Sequence, residues 1–314
     1  MSPAPETARL RTVTGTIPAS TVTGTVLPHE HLHLDLRWPV GADSDPRRWI
    51  DEEQAVAAEL TALRAEHDLG LVVDLTCIGM GRNAATLSRI SAGSRVAVVA
   101  GTGFFARPFL PQAIRELGVD GLTERLLAEI GFGLDGTGAL PGVIGEVGTW
   151  DEAPSEIEER CLRAAAAAAH SSGLAVATHG RPGLALLEIL TADGLPAGRV
   201  AVGHQDLVDD PAAHRKIAEA GAYVSFSVGA AGDDPVALGT RVRYVMDLLA
   251  AGYGDRVLLG TGVSQMTDLT RYEGGGYGTL FRTFLPALRA AGADESALRA
   301  ILRDNPLRWL AAEA

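Results

Sequence analysis

Eight short apolar runs, each followed by a stretch that predicts a helix, constrain the fold of this chain more than any other feature. The runs are nearly continuous rather than alternating, which is typical of strands buried on both faces of a parallel sheet. Eight such units fit a (β/α)8 barrel, whereas an open doubly wound sheet usually has fewer strands. The runs begin near Thr25, Leu71, Val96, Gly142, Leu174, Val200, Ala222 and Val257. The sequence therefore predicts the α/β class, as a (β/α)8 TIM barrel.

Two Thr- and Val-rich pieces precede the first barrel strand. They cover residues 11–17 and 21–26 and are separated by Pro18-Ala19-Ser20. This pattern favours a short N-terminal β-hairpin that leads into the barrel. The chain has 314 residues, of which 46% are apolar, and no low-complexity linker or break in composition divides it. We therefore expect residues 1–314 to form a single barrel domain.

Charge and cysteine content narrow the function classes. The formal net charge of −12 argues against a nucleic-acid partner, which would require a basic stripe, and gives no support for a membrane partner. Residues 1–13 lack the basic and apolar segments of a signal peptide, and no apolar run approaches the length of a membrane span. Two cysteines, Cys77 and Cys161, are too few for a disulfide framework. We expect a cytoplasmic protein that acts on a small molecule.

Polar side chains stand at the carboxyl ends of several predicted strands. His29 and His31 end the first strand two residues apart, so their side chains point the same way. Glu146, His179 and His204 end the fourth, fifth and sixth strands. Each residue alone is also explained as a hydrogen-bonded or helix-capping side chain. Because these strand ends meet at one mouth of a barrel, however, four imidazoles and one carboxylate together favour two divalent ions such as zinc, bridged by the carboxylate.

Seven motifs spread over nearly the whole chain carry a resemblance to one family. They are Leu27-Pro28-His29-Glu30-His31, Val73-Asp74-Leu75-Thr76, Gly101-Thr102-Gly103-Phe104-Phe105, Ile144-Gly145-Glu146-Val147-Gly148-Thr149, Thr178-His179, Gly203-His204-Gln205-Asp206 and Asp304-Asn305-Pro306. Together they resemble the phosphotriesterase family of the amidohydrolase superfamily. The resemblance implies a binuclear metal site, in which His29 and His31 hold the more buried ion, and His179 and His204 the more exposed one. Glu146 stands where relatives carry a bridging carboxylated lysine or a glutamate.

The last strand departs from the family pattern at one position. By the resemblance, Gly262 stands where the family places an aspartate that ligates the buried metal and accepts a proton from the bridging water. Glycine can do neither, and Asp268 lies six residues further on. We therefore expect weaker metal binding or a rearranged ligand shell at the His29/His31 site. Loss of a positioned general base costs roughly 100- to 10,000-fold in rate, and the sequence identifies no replacement base.

Three further residues near the predicted mouth have alternative interpretations. Asp206 could hydrogen-bond a ligand imidazole, relay protons or cap a helix. Phe105 and Trp150 follow the third and fourth strands. The resemblance implies that these two aromatic side chains form an apolar substrate wall, although ordinary packing explains them equally well.

The resemblance implies a metal-dependent hydrolase, in which a metal-bound hydroxide attacks an ester, lactone, amide or phosphoester. Gly262 keeps two alternatives open. One is a barrel whose metals act only as Lewis acids, in a cyclisation, elimination or carbon–carbon cleavage of specialised metabolism. The other is a pseudoenzyme that binds a ligand without turnover. Zinc is the expected metal, although manganese, cobalt and iron accept the same ligands, and a homodimer is common among relatives.

Overall fold

The computed structural model describes residues 8–37, 48–229 and 234–311. The strands within these residues are β1 (Arg9–Thr12), β2 (Gly15–Pro18), β3 (Thr25–Glu30), β4 (Leu34–Asp35), β5 (Trp49–Ile50), β6 (Leu69–Asp74), β7 (Ala97–Thr102), β8 (Val143–Gly148), β9 (Ala175–His179), β10 (Val200–Val202), β11 (Tyr223–Ser227) and β12 (Val257–Gly260). The α-helices are α1 (Glu53–His67), α2 (Ala84–Ser94), α3 (Gln112–Arg115), α4 (Val119–Phe132), α5 (Glu156–Ser172), α6 (Gly183–Thr191), α7 (Pro211–Glu219), α8 (Pro235–Ala250), α9 (Leu285–Ala290), α10 (Glu295–Arg299) and α11 (Asn305–Leu310).

Eight of these strands form one parallel sheet, and each is followed in the chain by at least one helix. Their order is β3, β6, β7, β8, β9, β10, β11, β12. The end of β12 returns to β3, because the N–H of Gly262 donates to the carbonyl oxygen of His29 at 3.1 Å. The N–H of Thr261 likewise donates to Oε1 of Glu30 at 2.6 Å. The predicted (β/α)8 barrel is confirmed.

Burial on both faces explains why the strand sequences are continuously apolar. On β6, Leu71 and Val73 belong to the cluster inside the barrel, whereas Val72 belongs to the cluster between the strands and the helices. The inner cluster also contains Trp309 of α11 and Leu10 of β1, so both chain ends contribute to it. Each fully buried aliphatic side chain contributes about 1.5–3 kcal/mol. The polar strand ends lie at the opposite end of this packed core.

A short antiparallel hairpin precedes the barrel, as predicted, but its arms differ from the prediction. Leu10 pairs with Ile17 and Thr12 with Gly15, so the turn lies at residues 13–14 rather than at residues 18–20. Gly15 has a φ of +127°, which glycine adopts at little cost. The piece at residues 11–17 therefore folds back on itself. The second piece does not pair with the first, because Thr25 already begins the first barrel strand.

The helices begin and end on recognisable signals. At the start of α5 the side chain of Ser155 caps the helix, and the Glu158 carboxylate accepts the N–H of Ser155 at 2.8 Å. Gly173, with a φ of +69°, ends the same helix. This fixes α5 directly behind β8, the strand that carries Glu146. In the described part of the chain, no helix has both the length and the apolar character needed to cross a membrane.

Candidate metal centre

The Glu146 carboxylate lies at the centre of the four histidines predicted from the strand ends. One ring nitrogen of each histidine faces it. The distances are 2.9 Å from His29 Nε2 to Oε1, 2.9 Å from His204 Nε2 to Oε1, 3.3 Å from His179 Nδ1 to Oε2, and 3.8 Å from His31 Nε2 to Oε2. The structure therefore brings all five predicted residues together at the carboxyl-end mouth of the barrel.

The backbone and one neighbouring hydroxyl aim these rings. His29 lies in β3 and His31 directly follows the end of this strand, and both rings face Glu146. Nδ1 of His31 hydrogen-bonds Oγ1 of Thr76 at 3.0 Å, which leaves its Nε2 for the centre of the cluster. His204 follows β10 with a φ of +56°, an uncommon conformation for a residue other than glycine. Thr76 ends the second predicted strand, but no role in the site was predicted for it from the sequence.

Burial and mutual charge set the protonation states in this cluster. Burial alone would raise the pKa of Glu146, but the imidazoles of His29, His179 and His204 hold it well below 4.5. Burial lowers the pKa of His31 to about 3 and also lowers the pKa of His179. Glu146 is therefore an anion at neutral pH and these two rings are uncharged, which are the forms that bind metal ions. Burial alone would lower the pKa of His204, but the Glu146 carboxylate raises it, so a metal ion bound there would displace a proton.

Two observations test whether these residues fit a divalent ion. Nε2 of His29 is buried and makes no hydrogen bond, since its 2.9 Å approach to Glu146 lacks hydrogen-bond geometry. One donor atom each from His29, Glu146 and His204 lies within 4.8 Å of the other two. Ligands placed about 2 Å from a tetrahedral zinc ion are about 3.3 Å apart. The donor types and their spacing therefore fit a metal ion.

Two buried acids hold the strand ends around the histidines. Glu30 accepts hydrogen bonds from the N–H and the hydroxyl of Thr261, and burial raises its pKa to about 8. Asp74 accepts from the N–H groups of Leu32 and Thr76 at 2.6 and 3.0 Å, and burial raises its pKa to about 7. These carboxyl groups tie β3 to β6 and β12, so they fix the segment that carries His29 and His31.

A tyrosine from the segment after β12 also anchors this segment. The hydroxyl of Tyr277, a fully buried residue, donates to the carbonyl oxygen of His31 at 2.7 Å. The N–H of Tyr277 in turn lies 3.3 Å from Oε2 of Glu59 on α1. The backbone of His31 is thus held from a position 246 residues away in the sequence.

Tyr277→Phe is expected to destabilise the protein by about 1–3 kcal/mol, because it leaves the buried carbonyl of His31 without a partner. The measurement is the free energy of unfolding in urea. Tyr272→Phe is the matched control, since its hydroxyl lies 2.9 Å from Glu52 on an exposed part of the same segment. Equal effects of the two substitutions would contradict a special role for Tyr277.

A cavity of about 500 Å³ opens above Glu146. Trp150 stacks on the ring of His179 at 5.4 Å and 8°, and Phe105 meets the same ring edge-on at 4.8 Å. Arg48 lies over the ring of the same Trp150, 4.7 Å from its centre. Both predicted aromatic residues therefore line the cavity and pack against a histidine of the cluster, and their contact with substrate stays a prediction.

Asp206 lies beside the cluster, and its carboxylate contacts two neighbouring elements. Oδ1 accepts the N–H of Ser227 at 2.8 Å, and Oδ2 lies 3.4 Å from Nη2 of Arg241. These contacts join the segment after β10 to the end of β11 and to α8. A role in proton relay stays a prediction.

Gly262 lies at the mouth and lines the same cavity as Glu146. Its φ is +65°, and a Cβ at this position would lie 2.9 Å from both Cβ and Oγ of Ser227. No role was predicted for Ser227 from the sequence. The alternation of side chains along β11 could have indicated its position. Tyr223 on this strand points into the barrel, and Ser227, four residues later, shares that face.

A barrel with histidines and a carboxylate at its carboxyl-end mouth is typical of metal-dependent hydrolases. The family model described as "Phosphotriesterase family" matches residues 8–310. The chain belongs to the phosphotriesterase family, as its motifs predicted, and this family is metal-dependent.

Relatives agree in sequence and in structure. The phosphotriesterase homology protein of Escherichia coli (strain K12) is 32% identical over 291 residues, which are 91% of this chain and 98% of that protein. Its crystal structure, with phosphate in the active site, superposes with a TM-score of 0.86 over 92% of this chain and 99% of that one. N-acetyltaurine hydrolase of Rattus norvegicus is 31% identical over 82% of this chain and 78% of the relative. A resiniferatoxin-binding protein from Rhodobacter sphaeroides is 29% identical, with a TM-score of 0.88 over 99% of this chain and 98% of that one.

Proposed function

We propose that this chain is a hydrolase that works with two divalent ions, zinc in the first instance, held by His29, His31, His179 and His204 and bridged by Glu146. The observation that carries the proposal is the cluster itself, in which a ring nitrogen of each histidine lies within 3.8 Å of one buried carboxylate. Burial alone would lower the pKa of His204, but the Glu146 carboxylate raises it, so an ion pair explains that contact. It does not explain the approach of His31, because burial lowers the pKa of His31 to about 3 and leaves its ring a lone pair rather than a positive charge.

Divalent ions bound here would activate a water molecule and polarise the scissile carbonyl or phosphoryl group. The residues of the chain have complementary tasks. Glu146 would supply the negative charge needed to hold two cations close together. His31 is oriented by Thr76 and Tyr277, while Trp150 and Phe105 pack against His179 and form the apolar side of the cavity.

The proposed substrate is a small molecule with an ester, lactone, amide or phosphoester bond. The cavity of about 500 Å³ is in the range of small-molecule sites. One relative is named a hydrolase of N-acetyltaurine, and the crystal structure of another holds phosphate in its active site. Both names support hydrolysis at a carbonyl or phosphoryl centre. We also propose that the enzyme consists of a single domain and is cytoplasmic.

Gly262 favours a second candidate, a non-hydrolytic reaction that needs only Lewis acids. Gly262 lines the cavity and offers no group that could accept a proton. Turnover in water enriched in oxygen-18 separates the candidates. Label in the product supports hydrolysis, whereas product formation without label supports the second candidate.

Removing the metal tests the proposal directly. Dialysis against a chelator is expected to abolish hydrolysis across a panel of ester, lactone, amide and phosphotriester substrates, and adding back zinc, manganese or cobalt to restore it. Elemental analysis should find two ions per chain in the restored protein. Full activity in protein shown to be free of metal would refute the proposed function.

A further inference from the structure

The hydroxyl of Ser227 is a buried polar group without a partner. Ser227 is 8% exposed, and its Oγ makes no hydrogen bond within the described part of the chain. A buried hydroxyl without a partner is unfavourable by about 1–3 kcal/mol, so most such groups bind water or a ligand. Ser227 lines the cavity together with Glu146 and His204. The hydrogen-bond partner of this hydroxyl is therefore expected to be a molecule bound in that cavity.

Ser227 occupies the place that the missing strand-end acid would need. A Cβ on Gly262 would lie 2.9 Å from both Cβ and Oγ of Ser227, closer than ordinary side-chain contacts. A side chain at position 262 and the serine in its observed place exclude each other. The serine at 227 therefore depends on the glycine at 262, and together they place a neutral hydroxyl where the family has a carboxylate.

The backbone around Ser227 is held firmly. Its N–H donates to Asp206 at 2.8 Å, and it pairs with Gly260 in the ladder between β11 and β12. The N–H of Val228 donates to the carbonyl oxygen of Gly260 at 2.9 Å. Only rotation about the Cα–Cβ bond is left to the hydroxyl, so it is presented to the cavity with little loss of entropy on binding.

We propose that the hydroxyl of Ser227 donates a hydrogen bond to an anionic oxygen of the bound substrate, and that Gly262 removes the carboxylate that would repel this oxygen. This inference rests on the proposed function and specifies its substrate: a molecule with a phosphate-like or carboxylate oxygen on the β11–β12 side of the mouth. Serine is the right group for this task, because it donates a hydrogen bond and carries no charge at neutral pH.

Inorganic phosphate is the probe. The experiment measures its dissociation constant by calorimetry on metal-reconstituted wild type, Ser227→Ala and Ser225→Ala. Ser225 is the matched control because it lies two residues earlier on β11, is also buried, and sits deeper in the barrel. Loss of a hydrogen bond to a charged oxygen is expected to weaken phosphate binding about 10- to 100-fold in Ser227→Ala, with no change in Ser225→Ala.

Two further readouts separate this role from a structural one. Metal content should equal that of wild type in both variants, and the melting temperature without phosphate should not fall in Ser227→Ala, because its hydroxyl has no partner to lose. Unchanged phosphate affinity in Ser227→Ala at full metal content would overturn the inference alone. Loss of metal from Ser227→Ala would also overturn it, since the hydroxyl would then be a metal ligand. A wild type that binds neither metal nor phosphate would overturn the proposed function as well.

Discussion

Glu146→Gln is expected to leave a folded barrel that no longer holds two metal ions and that hydrolyses its substrate more than ~100-fold more slowly. That figure is the upper range seen when only an outer hydrogen-bonding partner of a ligand is removed, and Glu146 lies at the centre of the cluster itself. Glutamine has nearly the same shape, so packing around the strand end changes little. The change removes one negative charge from the midst of four imidazoles.

The physical reason is charge. Two dications brought together by neutral imidazoles repel each other strongly in a buried site, and only an anionic bridge offsets this repulsion. In the protein without metal, His29, His179 and His204 keep the Glu146 carboxylate ionised, so the bridge is charged before any ion arrives. A neutral amide offers one acceptor oxygen and no charge.

Glu158→Gln is the matched control for this prediction. Glu158 is also a fully buried acid, and it accepts hydrogen bonds from the N–H and the hydroxyl of Ser155 at the start of α5. This control should lose stability but keep its metal and its rate per folded molecule. Elemental analysis and kcat/KM are the measurements. A Glu146→Gln protein with two ions and normal kcat/KM would refute the bridging role.

The convergence of the five site residues could be predicted from the sequence, because few rules are needed. Continuous apolar runs locate the strands, parallel strands in a barrel end at one mouth, and the two-residue period places His29 and His31 on one face. Each rule depends only on residues close together in the chain. The barrel itself was predictable for the same reason.

Contacts between distant segments could not be predicted in this way. The hydrogen bond from Tyr277 to the carbonyl oxygen of His31 joins residues 246 positions apart, and the hydrogen bond between His31 and Thr76 joins residues 45 positions apart. Alternation tells which way a side chain points, but not which hydroxyl it meets. The hairpin itself was predicted, but its two arms were misplaced for a related reason, since both threonine-rich pieces suit a strand and only the conformation of Gly15 places the turn.

The dependence between Ser227 and Gly262 could not be predicted from the sequence. Its parity places it on the inner face of β11, but nothing near it in the sequence relates it to Gly262, 35 residues later. The two residues meet because β11 and β12 are neighbours and Ser227 pairs with Gly260. Only the spacing of 2.9 Å between Ser227 and a Cβ built on Gly262 reveals that the two positions depend on each other.

Gly262→Asp, which restores the acid of the family, is therefore expected to fail alone and to succeed only together with Ser227→Gly. The single variant places a side chain at a φ of +65° and 2.9 Å from the serine. The left-handed conformation costs about 1–2 kcal/mol and overpacking about 1–3 kcal/mol. The double variant removes Cβ and Oγ of Ser227 and with them the overpacking. The cost of the left-handed conformation remains, and the new glycine in the strand adds an entropic cost.

The double variant should also hydrolyse a neutral ester or lactone roughly 100- to 10,000-fold faster than wild type, because it regains a positioned general base. Urea unfolding of the metal-free proteins gives the stabilities, and kcat/KM of the reconstituted proteins gives the rates. Gly262→Ala together with Ser227→Gly is the control, since it adds the Cβ without the carboxylate and should gain no rate. A stable Gly262→Asp single variant would contradict the packing argument. A double variant that is folded, binds two metals and gains no rate would mean that water is not the nucleophile, and the non-hydrolytic candidate would then account for Gly262.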